Sequence, residues 1–453
     1  MKNISVTIFY SNFANPIEAF ENHLPTRIDR LKVLQHILSG IVWGLIALYV
    51  LLMTLIYIPP FQNWLGERIA SSIGEQLHTT AHIKGIQISF PNRMIIDGVS
   101  ILDQNSKEML RIGRLSTKLQ FLPLAEGRFV ISSIQLFGAH ANIYKPDSLS
   151  PLNIQFAIDA LSSNDTTSQT SIDLRVNSFI VRHSSLTYNQ IDAPTKEHFD
   201  TKHLKLSDIS SHIILKVLNE DSLNINIKRL TLNEKSGLKI NNFALSFQAG
   251  KRNALLSHFA LQLPNSQLTI DTIACHYRKD MINRSLRFRG NEIKGNIRLN
   301  DLAAFHPILN NYPEEISIHA AITGAAKSLN IPQLNISSTD RNLQLACRAR
   351  IASDAKGVLR WQANVSKFIV AESIIKRLTD DISTLPQQLK NIGSLYGEGY
   401  CSGSSEGDLE TKSAIHMDAG QLSADMKITS DKVFSGKIKT KDINLHRLLE
   451  NDQ

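Results

Sequence analysis

The spacing of apolar residues changes twice along this chain, and each change predicts a different element. Residues 37–58 contain no charged side chain. About 22 residues at ~1.5 Å rise reach ~33 Å, enough to cross the ~30 Å hydrocarbon core of a bilayer as one helix. The exit, Tyr57-Ile58-Pro59-Pro60, has no small-x-small cleavage pattern, so the segment reads as an anchor rather than a cleaved signal. Behind Pro60, the residues Phe61, Trp64, Leu65, Ile69, Ile73 and Leu77 recur at helical spacing. They predict an amphipathic helix over 60–78 that either caps the following domain or lies on the membrane surface.

From Ala81 the period falls to two. Ile86-Gln87-Ile88-Ser89-Phe90 alternates, as do Leu115-Ser116-Thr117-Lys118-Leu119-Gln120-Phe121, Phe243-Ala244-Leu245-Ser246-Phe247 and Phe259-Ala260-Leu261-Gln262-Leu263. Such alternation predicts strands with one apolar and one wet face. Turns are expected at Pro91-Asn92, Asp97-Gly98, Ala249-Gly250 and Pro264-Asn265. The polar run 162–170 is the expected internal boundary. Helices are expected to interrupt briefly, as at 370–391, where Ile374, Ile375, Leu378 and Ile382 share a face. Two stretches look alike: Gly295 to Leu302 running on to Leu309, and Gly436 to Ile443 running on to Leu449. Each reads as a glycine, a strand, an Asp helix cap (Asp301, Asp442) and short helical turns. A weaker copy runs over 359–374. A strand-then-helix unit that recurs in a β-rich chain predicts repetition along one axis.

Charge sets the orientation. Arg27, Arg30 and Lys32 precede the apolar span and the first charge after it is Glu67, so residues 1–36 are expected in the cytoplasm and 59–453 outside it. The net charge of +8 is dispersed, with no basic block interleaved with aromatics, which argues against nucleic-acid binding. Cys275, Cys347 and Cys401 form no disulfide framework, and the His residues show no metal-ligand spacing. Gly403-Ser404-Ser405-Glu406-Gly407 matches the nucleophile elbow of acyl hydrolases, with His416 and His446 downstream. That elbow needs an apolar strand before it and a helix after it. Here a Gly-rich stretch precedes and an extended one follows, so tight turns are the better reading. No catalytic residue, cofactor or metal is expected.

Several stretches, in order, resemble the N-terminal region of TamB/AsmA-like envelope proteins, in the version found in Bacteroidetes. They are the span with Ile58-Pro59-Pro60-Phe61-Gln62-Asn63-Trp64-Leu65, the strands at 86–90 and 94–99, the turn Leu122-Pro123-Leu124-Ala125-Glu126-Gly127-Arg128 with 129–136, the segment 150–156, and the repeat at 436–449. The resemblance implies a mainly β fold with one N-terminal transmembrane helix: an elongated, repetitive, taco-like β-groove with short interspersed helices. It divides the chain into a cytoplasmic segment 1–36, the span 37–58, an AsmA-like β region 59–161 and a repetitive groove 171–453. The implied function is an inner-membrane-anchored periplasmic protein that guides phospholipid through an apolar groove, or assists outer-membrane assembly and protein secretion with a β-barrel partner. Leu115, Leu119, Phe121, Leu245, Phe247 and Leu261 are the expected groove-lining residues. The alternative is a scaffold with a dry β core that holds a partner envelope protein.

Overall fold

The apolar segment forms a single long helix, and all but one of the described strands after it join one sheet. The computed structural model describes residues 27–56, 58–89, 93–119, 129–162, 172–173, 177–219, 222–278, 282–383 and 385–449. The chain divides into two units, 1–62 and 63–453.

In the first unit, α1 (Arg27–Ile56) carries Arg27, Arg30 and Lys32 in its opening turns. Its stretch Leu34–Leu51 is long and apolar enough to cross a membrane, and none of it is buried. Each Å² of apolar surface left in water costs ~25 cal/mol, so a bilayer is the favourable solvent for such a helix. Residues 1–26, Tyr57 and most of the expected boundary at 162–170 lie outside the described residues.

In the second unit, α2 (Pro59–Leu77) packs, from Asn63 onward, over the first strands. Ala70 and Leu77 are buried. Gly66 sits so close to β1 (Ala81–Ser89) that an added Cβ would meet the Ile83 side chain at 3.7 Å. Beneath the helix lies a cluster of Ile86, Ile96, Val99, Ile112 and Ala139, with Ile69 packed against it. Of the two expectations for this helix, capping the domain is the one observed.

The sheet continues with β2 (Arg93–Leu102), β3 (Glu108–Leu119), β4 (Phe129–Lys145), the two-residue β5 (Ile172–Asp173) and β6 (Ser178–Gln190). Next come β7 (His203–Asn219), β8 (Ser222–Glu234), β9 (Lys239–Ala249), β10 (Asn253–Gln262), β11 (Gln267–His276) and β12 (Arg287–Arg298). The last are β13 (Glu315–Ala325), β14 (Ser328–Ser338), β15 (Leu343–Ser353), β16 (Leu359–Val370), β17 (Leu395–Ser404), β18 (Leu409–Met417), β19 (Gly420–Ile428) and β20 (Phe434–Lys441). Neighbours pair antiparallel in chain order, except that β4 pairs in parallel with β6 after a crossover holding α3 (Gln155–Ser162), and β5 lies against the start of β4. Short helices follow some strands: α4 (Ile282–Ser285), α5 (Glu372–Asp381) after β16, and α6 (Leu445–Leu449) after β20.

A line of bulges crosses this sheet. In β6, β7, β10 and β12 two residues oppose one on a neighbouring strand, and one of each pair has a positive φ: His183 (48°), Asp208 (50°), His258 (54°) and Glu292 (52°). Register shifts continue the line at β14 and β16. Each bulge bends its strand and increases its twist. At two of these places the sequence reads apolar–polar–polar–apolar, Leu256-Ser257-His258-Phe259 and Val365-Ser366-Lys367-Phe368, and at a third Pro332-Gln333 stands between Ile331 and Leu334. A bulge places two consecutive polar residues on one face, so the apolar residues on either side of it stay together on the other.

Three details correct the sequence reading. Gly98 lies inside β2 with φ 65°, not in a turn. Asp301 caps no helix; its carboxylate accepts from Asn265 N–H (2.8 Å), Asn265 Nδ2 (2.9 Å) and Ser266 Oγ (2.6 Å), tying the β12 exit to the β10–β11 turn. At α6 the cap is Asn444, whose Oδ1 accepts from Arg447 N–H (3.0 Å), while Asp442 sits at φ 53°.

Candidate functional site: an uncovered apolar face

Residues opposite one another in a sheet share a face, so the registers show how the alternating pattern assembles. Leu230, Phe243, Leu261, Leu268, Gly295 and Ile318 are successive partners from β8 to β13. The column continues through Ile336, Leu345, Phe368, Gly397, Ile415 and Leu422 to β19. A second column beside it holds Phe259, Ile270, Ile293, Ala320, Leu334, Cys347 and Val365. The rings of Phe243 and Phe259 meet edge to face at 5.6 Å between the two. At ~4.8 Å per strand the first column runs on the order of 50 Å.

Glycines interrupt these columns, and aromatic side chains lean over several of them. A Cβ on Gly403 would fall 2.7 Å from the Trp361 ring, and one on Gly397 would fall 3.1 Å from the Phe368 ring. Trp361 and Phe368 are the register partners of those glycines. An aromatic ring over a cross-strand glycine shields backbone that has no side chain of its own.

The apolar face is shielded but not covered. Among the described residues of β6–β20, no Val, Leu, Ile or Phe is fully buried; the strand positions that are include Ala320, Cys347 and Ala424. Leu261, Ile293, Ile318, Phe368 and Ile415 are half-buried, whereas Thr269, Lys294, Arg348, Asn364 and Lys412 on the other face are exposed. A packed core, by contrast, surrounds its side chains on all sides, as the cluster beneath α2 does for Ile86, 1% exposed. A cavity of about 760 Å³ lies over the polar face among Arg348, Asn364, Tyr400, Lys412 and Asp425. These five are register partners of one another.

Of the expected lining residues, Leu245, Phe247 and Leu261 share the apolar face, half-buried; Ile227 stands opposite Leu245, Ile225 and Leu256 opposite Phe247. Leu115 instead packs at the margin of the cluster under α2, with Leu110 and Leu136. Leu119 ends β3, and Phe121 lies outside the described residues.

One rim of the sheet is locked by helices. On α5, Ile374 and Ile375 are buried, and Arg377 reaches back to Glu314 (2.7 Å) and to the Asn311 carbonyl (3.1 Å). Its guanidinium lies 5.4 Å from the Tyr312 ring. Burial, then the nearby Asp381 carboxylate, pushes the Tyr312 hydroxyl up to about 12. On α6, Arg447 repeats the device: Nε donates to the Asn391 carbonyl (3.0 Å), with Glu372 at 3.5 Å and Asp418 at 3.6 Å. Further along, the N–H of Lys202, the His203 ring and the N–H of Lys196 hold Asp200 down at about 2 against the opposing effect of burial.

The Ser405 motif forms the turn between β17 and β18. Ser405 Oγ accepts from Leu359 N–H (3.2 Å), and Gly407 takes φ 100° to close the hairpin. His416 is stacked on Tyr396 at 4.8 Å. Strand–turn–strand is not the strand–helix geometry of a nucleophile elbow. No group of three or more His, Cys, Asp or Glu among the described residues is placed to hold a metal. No family model, curated protein or solved structure matches this chain.

Proposed function

We propose that this protein is anchored in the inner membrane by α1 and guides lipid along the apolar face of its sheet in the periplasm, as the TamB/AsmA resemblance implies. One observation carries the reading: apolar columns stay in register from β8 to β19 while none of their large aliphatic or phenylalanine side chains is fully buried. The reading needs a trough along that face, and the bending that bulges introduce into strands supports one. Each acyl CH₂ moved onto such a surface contributes ~0.8 kcal/mol, so a lipid tail is held without any specific polar contact. Arg27, Arg30 and Lys32 before the span favour a cytoplasmic N-terminus. Assistance to outer-membrane assembly, through a β-barrel partner, belongs to the same reading. The half-exposure of Ile293 and its neighbours weighs against the alternative of a dry core.

The test is photo-crosslinking from single benzophenone positions in the membrane-reconstituted chain. Phospholipid should be labelled from Phe247 and Ile318, on the apolar face, and not from Thr269 or Lys294, on the polar one. Label from the polar positions alone defeats the proposal.

A further inference from the structure

The polar face of the sheet carries one row without charge. Gln262, Gln267, Asn296, Ser317, Ser337 and Gln344 are successive register partners from β10 to β15. Past Ile369 on β16, the same row resumes with Tyr396, His416 and Gln421 on β17, β18 and β19. The rows on either side differ. Lys294 stands in the adjacent one, and Arg348, Lys412 and Asp425 in the one beyond it. On the other flank Arg298 lies 3.5 Å from Glu315.

A row of amides and hydroxyls is purely structural when its members bond to one another along the ladder. These do not. Among the described residues, the side chains of Gln262, Gln267, Asn296, Ser317 and Ser337 hold no hydrogen bond, and Gln344 donates only to the Arg341 carbonyl (3.0 Å). A cavity of about 470 Å³ instead opens against Gln267, Asn296 and Ser317 and reaches the neighbouring Thr269 and His319. Farther along the row the Tyr396 side chain, 52% exposed, is stacked on His416 with 9° between the rings.

This chemistry selects a class of ligand. Amide and hydroxyl side chains both donate and accept, as the hydroxyls of a sugar do. The C–H face of a sugar ring is apolar and fits against an exposed aromatic ring. A nucleic acid would require a row of cations, and a hydrocarbon tail would strip water from the amides without replacing it. The strands repeat these groups every ~4.8 Å, about the length of one pyranose ring, over on the order of 40 Å.

We propose that this row binds a neutral polysaccharide laid across the strands, its hydroxyls bonded to the side chains of β10–β15 and one ring stacked on Tyr396. The site lies on the face opposite the apolar columns and does not depend on lipid guiding.

The experiment titrates the full chain, reconstituted in nanodiscs, with neutral hexasaccharides of glucose, mannose and N-acetylglucosamine by calorimetry. At least one should bind. A neutral hydrogen bond is worth about fivefold in affinity, so Gln267→Ala/Asn296→Ala/Ser317→Ala should weaken binding by about a hundredfold. Hydrogen exchange in β11–β13 should stay as in the native chain, which separates lost contacts from a disturbed sheet. Tyr396→Ala should weaken binding by about fivefold, whereas Tyr396→Phe, which keeps the ring, should not; this pair decides alone if the triple variant alters exchange. Failure of all three sugars to bind, or native affinity in the triple variant or in Tyr396→Ala, overturns the proposal. Tighter binding of a galacturonic acid hexasaccharide would mean that the flanking cations select the ligand, and would overturn it as well. So would a Ser/Gln-rich peptide that binds more tightly than any sugar with the same dependence on the row, which would assign the row to a protein strand.

Discussion

Truncating one isoleucine in each of two environments separates a covered core from an open face. Ile86 is 1% exposed within the cluster beneath α2, enclosed by Ile96, Val99, Ile112 and Ala139. Ile86→Ala removes buried methyl groups and leaves a void that neighbours cannot fill, which costs ~2–5 kcal/mol. Ile293 is half-buried, flanked by its register partners Ile270 and Ala320, on a face whose large side chains stay half-buried among the described residues. Ile293→Ala exposes a few tens of Å² of apolar surface and closes no cavity, so ~1 kcal/mol is expected at ~25 cal/mol per Å². Hydrogen exchange on the reconstituted chain reads both, through the amides of β1–β4 in one case and β11–β13 in the other. Exchange should accelerate by ~30-fold or more for Ile86→Ala and by about fivefold for Ile293→Ala. Equal acceleration by the two variants would show that Ile293 is packed on both sides, and the open-face argument would fall with that result.

Three further outcomes follow from the geometry. His258 holds φ 54° in the middle of β10, a conformation that costs a residue with a Cβ ~1–2 kcal/mol and glycine almost nothing; His258→Gly should therefore slow exchange in β9–β11 despite its flexibility, and faster exchange would refute the bulge. Arg377→Ala leaves Glu314, half-buried, without its 2.7 Å partner, so α5 should loosen by ~1–3 kcal/mol in hydrogen exchange with β1–β4 unaffected. Asp200 ionises at about 2 in the folded chain against an ordinary 3.8. Its stabilising bonds are thus complete above 3.8 and are lost as the pH falls toward 2; pepsin should cut the β6–β7 connection only in that acid window, and Asp200→Asn should be cut more readily above it.

How much of this was legible in the residues differs element by element. The long apolar helix was, because an uncharged run of membrane-crossing length favours one continuous helix. So were the strands around Phe243–Phe247 and Phe259–Leu263, whose alternation survives into the sheet. The slips at Leu256-Ser257-His258-Phe259 and Ile331-Pro332-Gln333-Leu334 were not read from the alternation, although they recur along the chain. They are the signal that would have located the bulge line. Asp301 was misassigned for a different reason: a carboxylate before an apolar turn has the signature of a helix cap, and only the neighbouring β10–β11 turn supplied better donors.

By itself, then, the sequence determined that a membrane-length helix precedes an alternating β chain, because periodicity and length are local properties. Tertiary structure decided which apolar residues meet. Register aligned Leu230 with Phe243 and onward to Leu422, brought Gln262 and Gln344 into one row, and sent Leu115 under α2 instead of onto the open face. Those outcomes depend on pairings between strands and on what packs above them, and neither is encoded in the spacing along a single strand.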